Sequence, residues 1–375
     1  MQRRGADQQG TQPHAIDMVV GVADPNPFSR ERLREQHSIE EHNAFADWRS
    51  VAQRDRFADA VLICTPDRLH KGLTVLSLCL SVKEPAVVFA RKGYHILLEK
   101  PMAVTAEDCI EIVSVCSESQ VMLAVCHVLR YLPAVQKIKE LIDSGAIGDV
   151  IHIQHLEPVG FYHFAHSFVR GNWRSEAGSS FSLLAKSCHD IDLINYWVGG
   201  RRCLKVSSFG SLCHFTKDNQ GASDRCLSCP VEASCPSSAK KIYLDRVTRG
   251  EVGWPVSVLC CSSLPDIESV TMALRSGPYG RCVYDCDNDV CTNQVVNMQF
   301  EGGLTASFSM VAFTEQMCQR KTTISGSKVT EQQQRPAAWC VCVCVCVCVC
   351  VCVCADRQLC PRVVESEKCS MLPGC

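Results

Sequence analysis

Short apolar runs separated by charged stretches mark the first third of the chain. Met18–Ala23, Ala60–Cys64, His95–Leu98 and Val121–Cys126 each read as a buried strand. Between them, Ser29–Gln36, Pro85–Lys92 and Thr105–Ser117 read as helices. Gly93 stops the second, while Thr105 caps the third, with Glu107 and Asp108 in its first turn. Apolar strands alternating with helices predict a doubly wound parallel α/β sheet.

The pattern changes after an amphipathic helix at Pro133–Ser144, closed by Gly145. Asp149–Leu156, Val295–Phe300, Leu304–Val311 and Lys321–Ser325 read as strands, several joined by Gly-containing turns such as Glu301-Gly302-Gly303. A helical pattern follows Cys188. This predicts an α+β domain on a largely antiparallel sheet. The expected organisation is an unstructured 1–17, a nucleotide-binding unit at 18–127, a substrate and oligomerisation domain at 128–328, and a tail at 329–375.

Three stretches break the pattern. Cys340–Cys354 is a strict Cys/Val alternation holding eight of the 28 cysteines. A tandem TG repeat, translated, gives this alternation, so the tract reads as non-coding sequence and the tail as disordered. Gly72–Lys83 is apolar, interrupts a continuous pattern, and reads as a retained intron fragment or splice variant. Upstream of Val19–Ala23, no strand, Gly-rich turn and helix precede as a complete nucleotide-binding unit requires. The first strand and its turn are thus expected to be missing, and cofactor binding impaired.

Composition narrows the class. Lys+Arg is 38 against 40 Asp+Glu, a formal charge of −2, which argues against a nucleic-acid or anionic-membrane partner. Apolar residues make up 46%, enough for a core. Outside the tail most cysteines sit in apolar runs, where thiols act as small hydrophobes, and a cytoplasmic location fits.

Candidate chemistry lies at the strand ends, where open α/β sheets bind ligands. These ends carry Asp24, Thr65-Pro66 and Glu99-Lys100-Pro101. Asp24 suits the ribose hydroxyls of NAD and repels the 2′-phosphate of NADP, unless it serves only as a turn residue before Pro25. Lys100, set between Glu99 and a rigid proline, is placed to give or take a proton, or else pairs with Glu99 at the surface. His189 and Asp192 stand three apart on one helix face, and an imidazole is the natural proton shuttle near neutrality. Residues 161–174, FYHFAHSFVRGNWR, mix aromatic and basic side chains suited to a sugar ring and its hydroxyls. No metal is favoured. Cys226, Cys229 and Cys235 have C-x2-C-x5-C spacing, and His214 or Cys213 would complete a four-ligand set.

Taken together, ADPNP after a strand, the Thr65-Pro66…His70 segment, LLEKPMAVT at Leu97–Thr105, HVLRYLPAV and KSCHDIDL at Lys186–Leu193 resemble the Gfo/Idh/MocA family of NAD(P)-dependent oxidoreductases. The resemblance covers residues 18–71 and 84–328. It implies a Rossmann domain, then an α/β domain whose open sheet forms a homo-oligomer interface. It implies hydride transfer between nicotinamide and a carbinol carbon of a sugar, cyclitol or related polyol. Carried over, Lys100 polarises the reacting oxygen, His189 relays the proton and Asp192 is the acidic residue following that His. NAD or NADP would lie near Asp24, Thr65, Pro66, His70, Glu99 and Lys100, with NAD favoured by Asp24. Substrate would meet His127, Arg130, His163, Arg170, Asn172, Trp173 and Arg174. Two departures stand out: Ala185 replaces the Asp that many members carry four residues before the His, and no G-x-G-x-x-G occurs upstream of Asp24. Both favour the rival reading, a non-catalytic nucleotide- or sugar-binding sensor of the same fold.

Overall fold

The computed structural model describes residues 18–65, 82–221, 223–260, 264–328 and 345–346. Pro66, His70, residues 1–17 and most of 72–83 and of the tail lie outside the described residues.

Strands β1 (Val22–Ala23) and β2 (Ala44–Phe45) form a short parallel pair. Helix α1 (Pro27–Gln36) begins after Asn26, whose side chain accepts the Phe28 and Ser29 amides, with Pro27 at the first helical position. A second sheet holds β3 (Ala60–Ile63), β4 (His95–Leu98) and β5 (Leu123–Val125), all parallel and in that order. Helix α2 (Trp48–Ala52) precedes β3, α3 (Lys83–Arg91) leads into β4, and α4 (Ala106–Glu118) leads into β5. Ile63, Ile96 and Leu98 pack against Ala86, Phe89 and Ile112 of α3 and α4. Each large apolar side chain buried this way contributes about 1.5–3 kcal/mol. Leu62 and Leu97 point to the other face and are exposed.

Thr105 caps α4 as expected, its hydroxyl accepting the Asp108 amide at 3.2 Å. Gly93 follows α3 with φ +82°, a left-handed conformation that a glycine reaches at no steric cost. The start of α3 differs from the sequence pattern. Lys83 already belongs to the helix and bridges to Asp108 and Glu111 of α4 at 2.7 and 2.6 Å, while Val82 is buried. The last two residues of the apolar segment are therefore part of the domain's packing.

The second domain opens with α5 (Pro133–Asp143), which buries Val135 and Ile138 and ends before Gly145 at φ +67°. Its sheet contains β6 (Val150–Pro158), β7 (Cys203–Ser211), β8 (Asn293–Phe300), β9 (Thr305–Val311) and β10 (Gln319–Gly326), in the order β10-β6-β9-β8-β7. Only β6 and β9 pair in parallel. From the tail, Val345–Cys346 adds a two-residue antiparallel strand beside β10.

Alternation along the strands turns Ile153, Val296, Met298, Ala306, Phe308 and Met310 into the core. Helix α6 (Cys188–Trp197) lies over that face and buries Leu193, Ile194 and Trp197. The opposite face carries Asn297, Gln299 and Thr305 and is open. The sequence pattern missed β7. All nine of its residues are exposed, so no buried face imposes a clear alternation on CLKVSSFGS.

Candidate active site

The carboxyl ends of β3, β4 and β5 bring Thr65, Lys100 and His127 to one edge of the first domain. The Lys100 backbone N–H donates to its neighbour Glu99 at 3.0 Å, and the Lys100-Pro101 bond is cis. The Lys100 ammonium reaches across to the second domain and donates to the carbonyl oxygen of Ala185 at 3.0 Å. Ala185 ends the helical turn Ser182–Ala185, one turn before His189 in α6. Ala185, which stands where the resemblance expects an Asp, thus offers its backbone oxygen to Lys100.

His189 is buried. Burial first, and the charge of Lys100 second, push its imidazole down to about 2, so the ring is neutral at physiological pH. His127 meets it edge-on, with ring centroids 6.0 Å apart, and burial lowers that imidazole too. Three polar atoms around this edge are buried without a hydrogen-bond partner among the described residues: Thr65 Oγ1, His127 Nδ1 and His189 Nδ1. Buried polar atoms left unpaired cost about 1–3 kcal/mol each, and a ligand's hydroxyl or amide groups would satisfy them.

Behind His189 lies an ionic cluster that the sequence reading overlooked. Asp190 accepts from Arg320 Nε at 2.6 Å and from His155 Nε2 at 3.0 Å. Glu157 stands 3.0 Å from Arg320 Nε and 3.3 Å from Lys186 Nζ. Burial alone would raise the Asp190 carboxyl, but Arg320 and His155 more than offset it and hold it well below the usual range. Burial works against the charge of Lys186, yet Glu157 keeps it an ammonium. The signal was present in β6. His155 and Glu157 are two apart, on the strand face that the apolar alternation assigns to the core, and charged groups there need partners.

Other sequence candidates are placed differently. Both carboxylate oxygens of Asp192 are taken up by an arginine. The carboxylate accepts a two-pronged bond from Arg130, at 2.7 and 2.5 Å, with His127 Nε2 3.8 Å away. Arg130 is thereby also committed, and it stacks over Tyr196. Arg170 is corrected as a substrate contact. It is 1% exposed, and its guanidinium donates to the carbonyls of Arg281 and Ser237 inside the second domain. Arg174 pairs with Asp287 at 3.0 Å, Trp173 packs on Phe168 and the domain core, and Asn172 is exposed. His163 sits edge-on to Trp254. Burial, then Lys186, pushes it well below an ordinary imidazole, with Lys100 adding a smaller effect. Asp24 follows β1 and accepts the Asn26 amide at 2.7 Å, a turn role. His214 contacts Tyr284 and Phe313.

These residues fit the nicotinamide and ribose end of a dinucleotide: strand-end placement, unpaired Thr65 and histidine atoms, and an ammonium in reach. Among the described residues no Gly-rich turn supplies amides for a pyrophosphate. No helix among them is long and apolar enough to cross a membrane.

Comparison with known proteins agrees with this geometry. Residues 2–127 match the family model described as "Oxidoreductase family, NAD-binding Rossmann fold", and residues 135–225 match the "GFO/IDH/MocA C-terminal domain". The chain is 26% identical over 324 residues to "Putative oxidoreductase YteT" of Bacillus subtilis, covering 82% of this chain and 67% of that protein. It is 27% identical over 185 residues to the levoglucosan dehydrogenase of Pseudarthrobacter phenanthrenivorans, covering 49% and 44%. The first curated relatives are spanned over 38%, 67% and 34% of their lengths. Among solved structures, levoglucosan dehydrogenase with NADH and levoglucosan aligns with a TM-score of 0.54 at 19% identity, covering 83% of this chain and 62% of that one. The scyllo-inositol dehydrogenase of Lactobacillus casei with NAD(H) and scyllo-inositol gives 0.52 at 18%, covering 83% and 66%. The chain belongs to the Gfo/Idh/MocA oxidoreductase family.

Proposed function

We propose that the chain carries the site of an NAD(P)-dependent dehydrogenase acting on a secondary alcohol of a sugar, cyclitol or related polyol. One observation carries the reading. The Lys100 ammonium crosses from the first domain to the turn that leads into His189, at the end of a parallel sheet with three buried, unpaired polar atoms.

A bound nicotinamide would supply the acceptor or donor of the hydride exchanged with the carbinol carbon. The residues of this chain handle the oxygen and its proton. Lys100 donates to the reacting oxygen and stabilises negative charge as it develops there. His189, neutral at working pH, presents Nδ1 to the substrate hydroxyl and accepts its proton during oxidation. Burial first, and the adjacent ammonium second, keep His189 from protonating beforehand. The pair therefore starts with one positive charge, and the substrate proton is the second. The ionic cluster holds α6 so that His189 keeps its aim. Residues 18–127 would hold the cofactor, with Thr65, Glu99 and Lys100 at the nicotinamide end. Residues 128–328 would supply the substrate face, with His127 and His163 nearby.

The open sheet face and β7 also support association with a second copy. Leu204, Val206 and Phe209 are more than half exposed. Val206 pairs across from the core-facing Met298 and Phe209 across from the outward Val295, so the strand leaves apolar side chains uncovered on both faces.

Purified full-length chain, incubated with NAD or NADP at concentrations high enough to offset weak cofactor binding and with a panel that includes levoglucosan and scyllo-inositol, should produce the absorbance of reduced nicotinamide. Tight cofactor binding without turnover on any polyol or carbonyl would favour a sensor and contradict the proposal.

A further inference from the structure

A second cluster lies apart from the cleft. Three loop segments of the second domain enclose a cavity of about 40 Å³, lined by Arg170, Arg225, Cys226, Cys229, Cys235 and Cys282 among others. All four cysteines are free thiols.

The local backbone brings them together. Cys226 and Cys229 straddle a tight turn in which the Cys229 amide donates to the Cys226 carbonyl at 3.3 Å. Cys282 comes from a distant segment stitched alongside. Its amide donates to Asp224 at 2.7 Å, and Arg225 forms a bridge with Arg281.

The electrostatics ask for an anion. Arg170 is 1% exposed, yet among the described residues no carboxylate pairs with its guanidinium. Its Nη2 donates to Cys226 Sγ at 3.3 Å, and its Nη1 is buried with no partner. Arg225 Nε is buried and unpaired as well. A buried cation without a counter-charge costs several kcal/mol, and neutral thiols do not supply one. Four thiolates on a divalent cation carry a net negative charge and accept N–H bonds at sulfur.

We propose that Cys226, Cys229, Cys235 and Cys282 bind one structural zinc ion, with Arg170 as the counter-cation beside it. The first pair has the C-x2-C spacing of structural zinc sites. Cys282 takes the fourth place, not His214, whose Nε2 lies 3.2 Å from Tyr284 Oη and which does not line the cavity. Among the described residues no three ligand groups already converge on a point, so the thiols turn inward as the ion binds. The ion would staple the 224–238 loop to the 281–286 loop.

The test must separate these thiols from those of the Cys/Val tail. Full-length chain with the eight cysteines of Cys340–Cys354 changed to Ser should retain about one equivalent of zinc after purification, by elemental analysis. Cobalt added to the metal-free chain should give thiolate-to-cobalt charge-transfer absorption. Cys226→Ser with Cys282→Ser should lose both signals, while His214→Ala and Cys203→Ser keep them. If the double variant does not fold, the cobalt spectrum of the parent decides. Absence of zinc and of the cobalt signal in the tail-substituted chain would overturn the proposal. So would stabilisation by bromide in place of zinc, which would mark a simple anion site.

Discussion

The two sides of the cleft are built by opposite means. On the first-domain side, Thr65, Lys100 and His127 sit at the ends of three short parallel strands, with polar atoms left unpaired. On the second-domain side, His189 rides on a helix locked to its sheet by Asp190, Arg320, His155, Glu157 and Lys186. The first side offers strand-end groups directly to a ligand, and the second uses an ionic cluster to fix one imidazole whose own Nδ1 stays free. The difference implies that changes on the first side act on turnover, and changes on the second act on stability before chemistry.

The largest effect is expected on the first side. Lys100→Met should lower turnover by about 10²–10⁴-fold in any form of the protein that turns over substrate, the range typical of losing a proton-handling group. Nicotinamide affinity, measured by fluorescence titration, should move far less. Equal losses in both would make Lys100 a binding residue only.

Next comes the ionic cluster. Asp190→Ala leaves Arg320 buried beside one carboxylate fewer and should cost about 3–5 kcal/mol in urea unfolding, as breaking buried pairs does. A loss below 1 kcal/mol would show that the cluster does not brace α6.

The pH dependence of stability sharpens the same contrast. His189 and His166 are held down to about 2 and about 3, chiefly by burial, from an ordinary 6.5. Below about 6.5 the unfolded chain takes up protons that the folded chain refuses, so stability falls with pH. Their contribution is full above that value and drains away toward about 3 and then 2. The smallest effect is a control at a helix cap. Thr105→Ala removes the cap of α4 and should cost about 1 kcal/mol by thermal unfolding.

Much of the first domain was legible because its strands are short, apolar and punctuated. Thr105 and Gly93 marked helix ends that the backbone then required. Lys100 and His189 were legible from the segments around them. Less could be read where meaning depends on partners distant in sequence. Arg170 reads as a hydroxyl-binding arginine in FYHFAHSFVRGNWR, but its bonds go to carbonyls more than sixty residues away. Asp192 looks catalytic by its spacing from His189, yet Arg130, in the segment between domains, claims both its oxygens. Ala185 reads as a loss in the sequence because a sequence does not show where a carbonyl points.

The central claim is that the ammonium of Lys100 and the imidazole of His189 share one crevice. NMR titration of labelled histidines tests it most directly. The account predicts that His189 in the unmodified chain stays neutral well below 6.5, and that Lys100→Met raises its titration toward that value. A His189 that titrates near 6.5 in both proteins would contradict it.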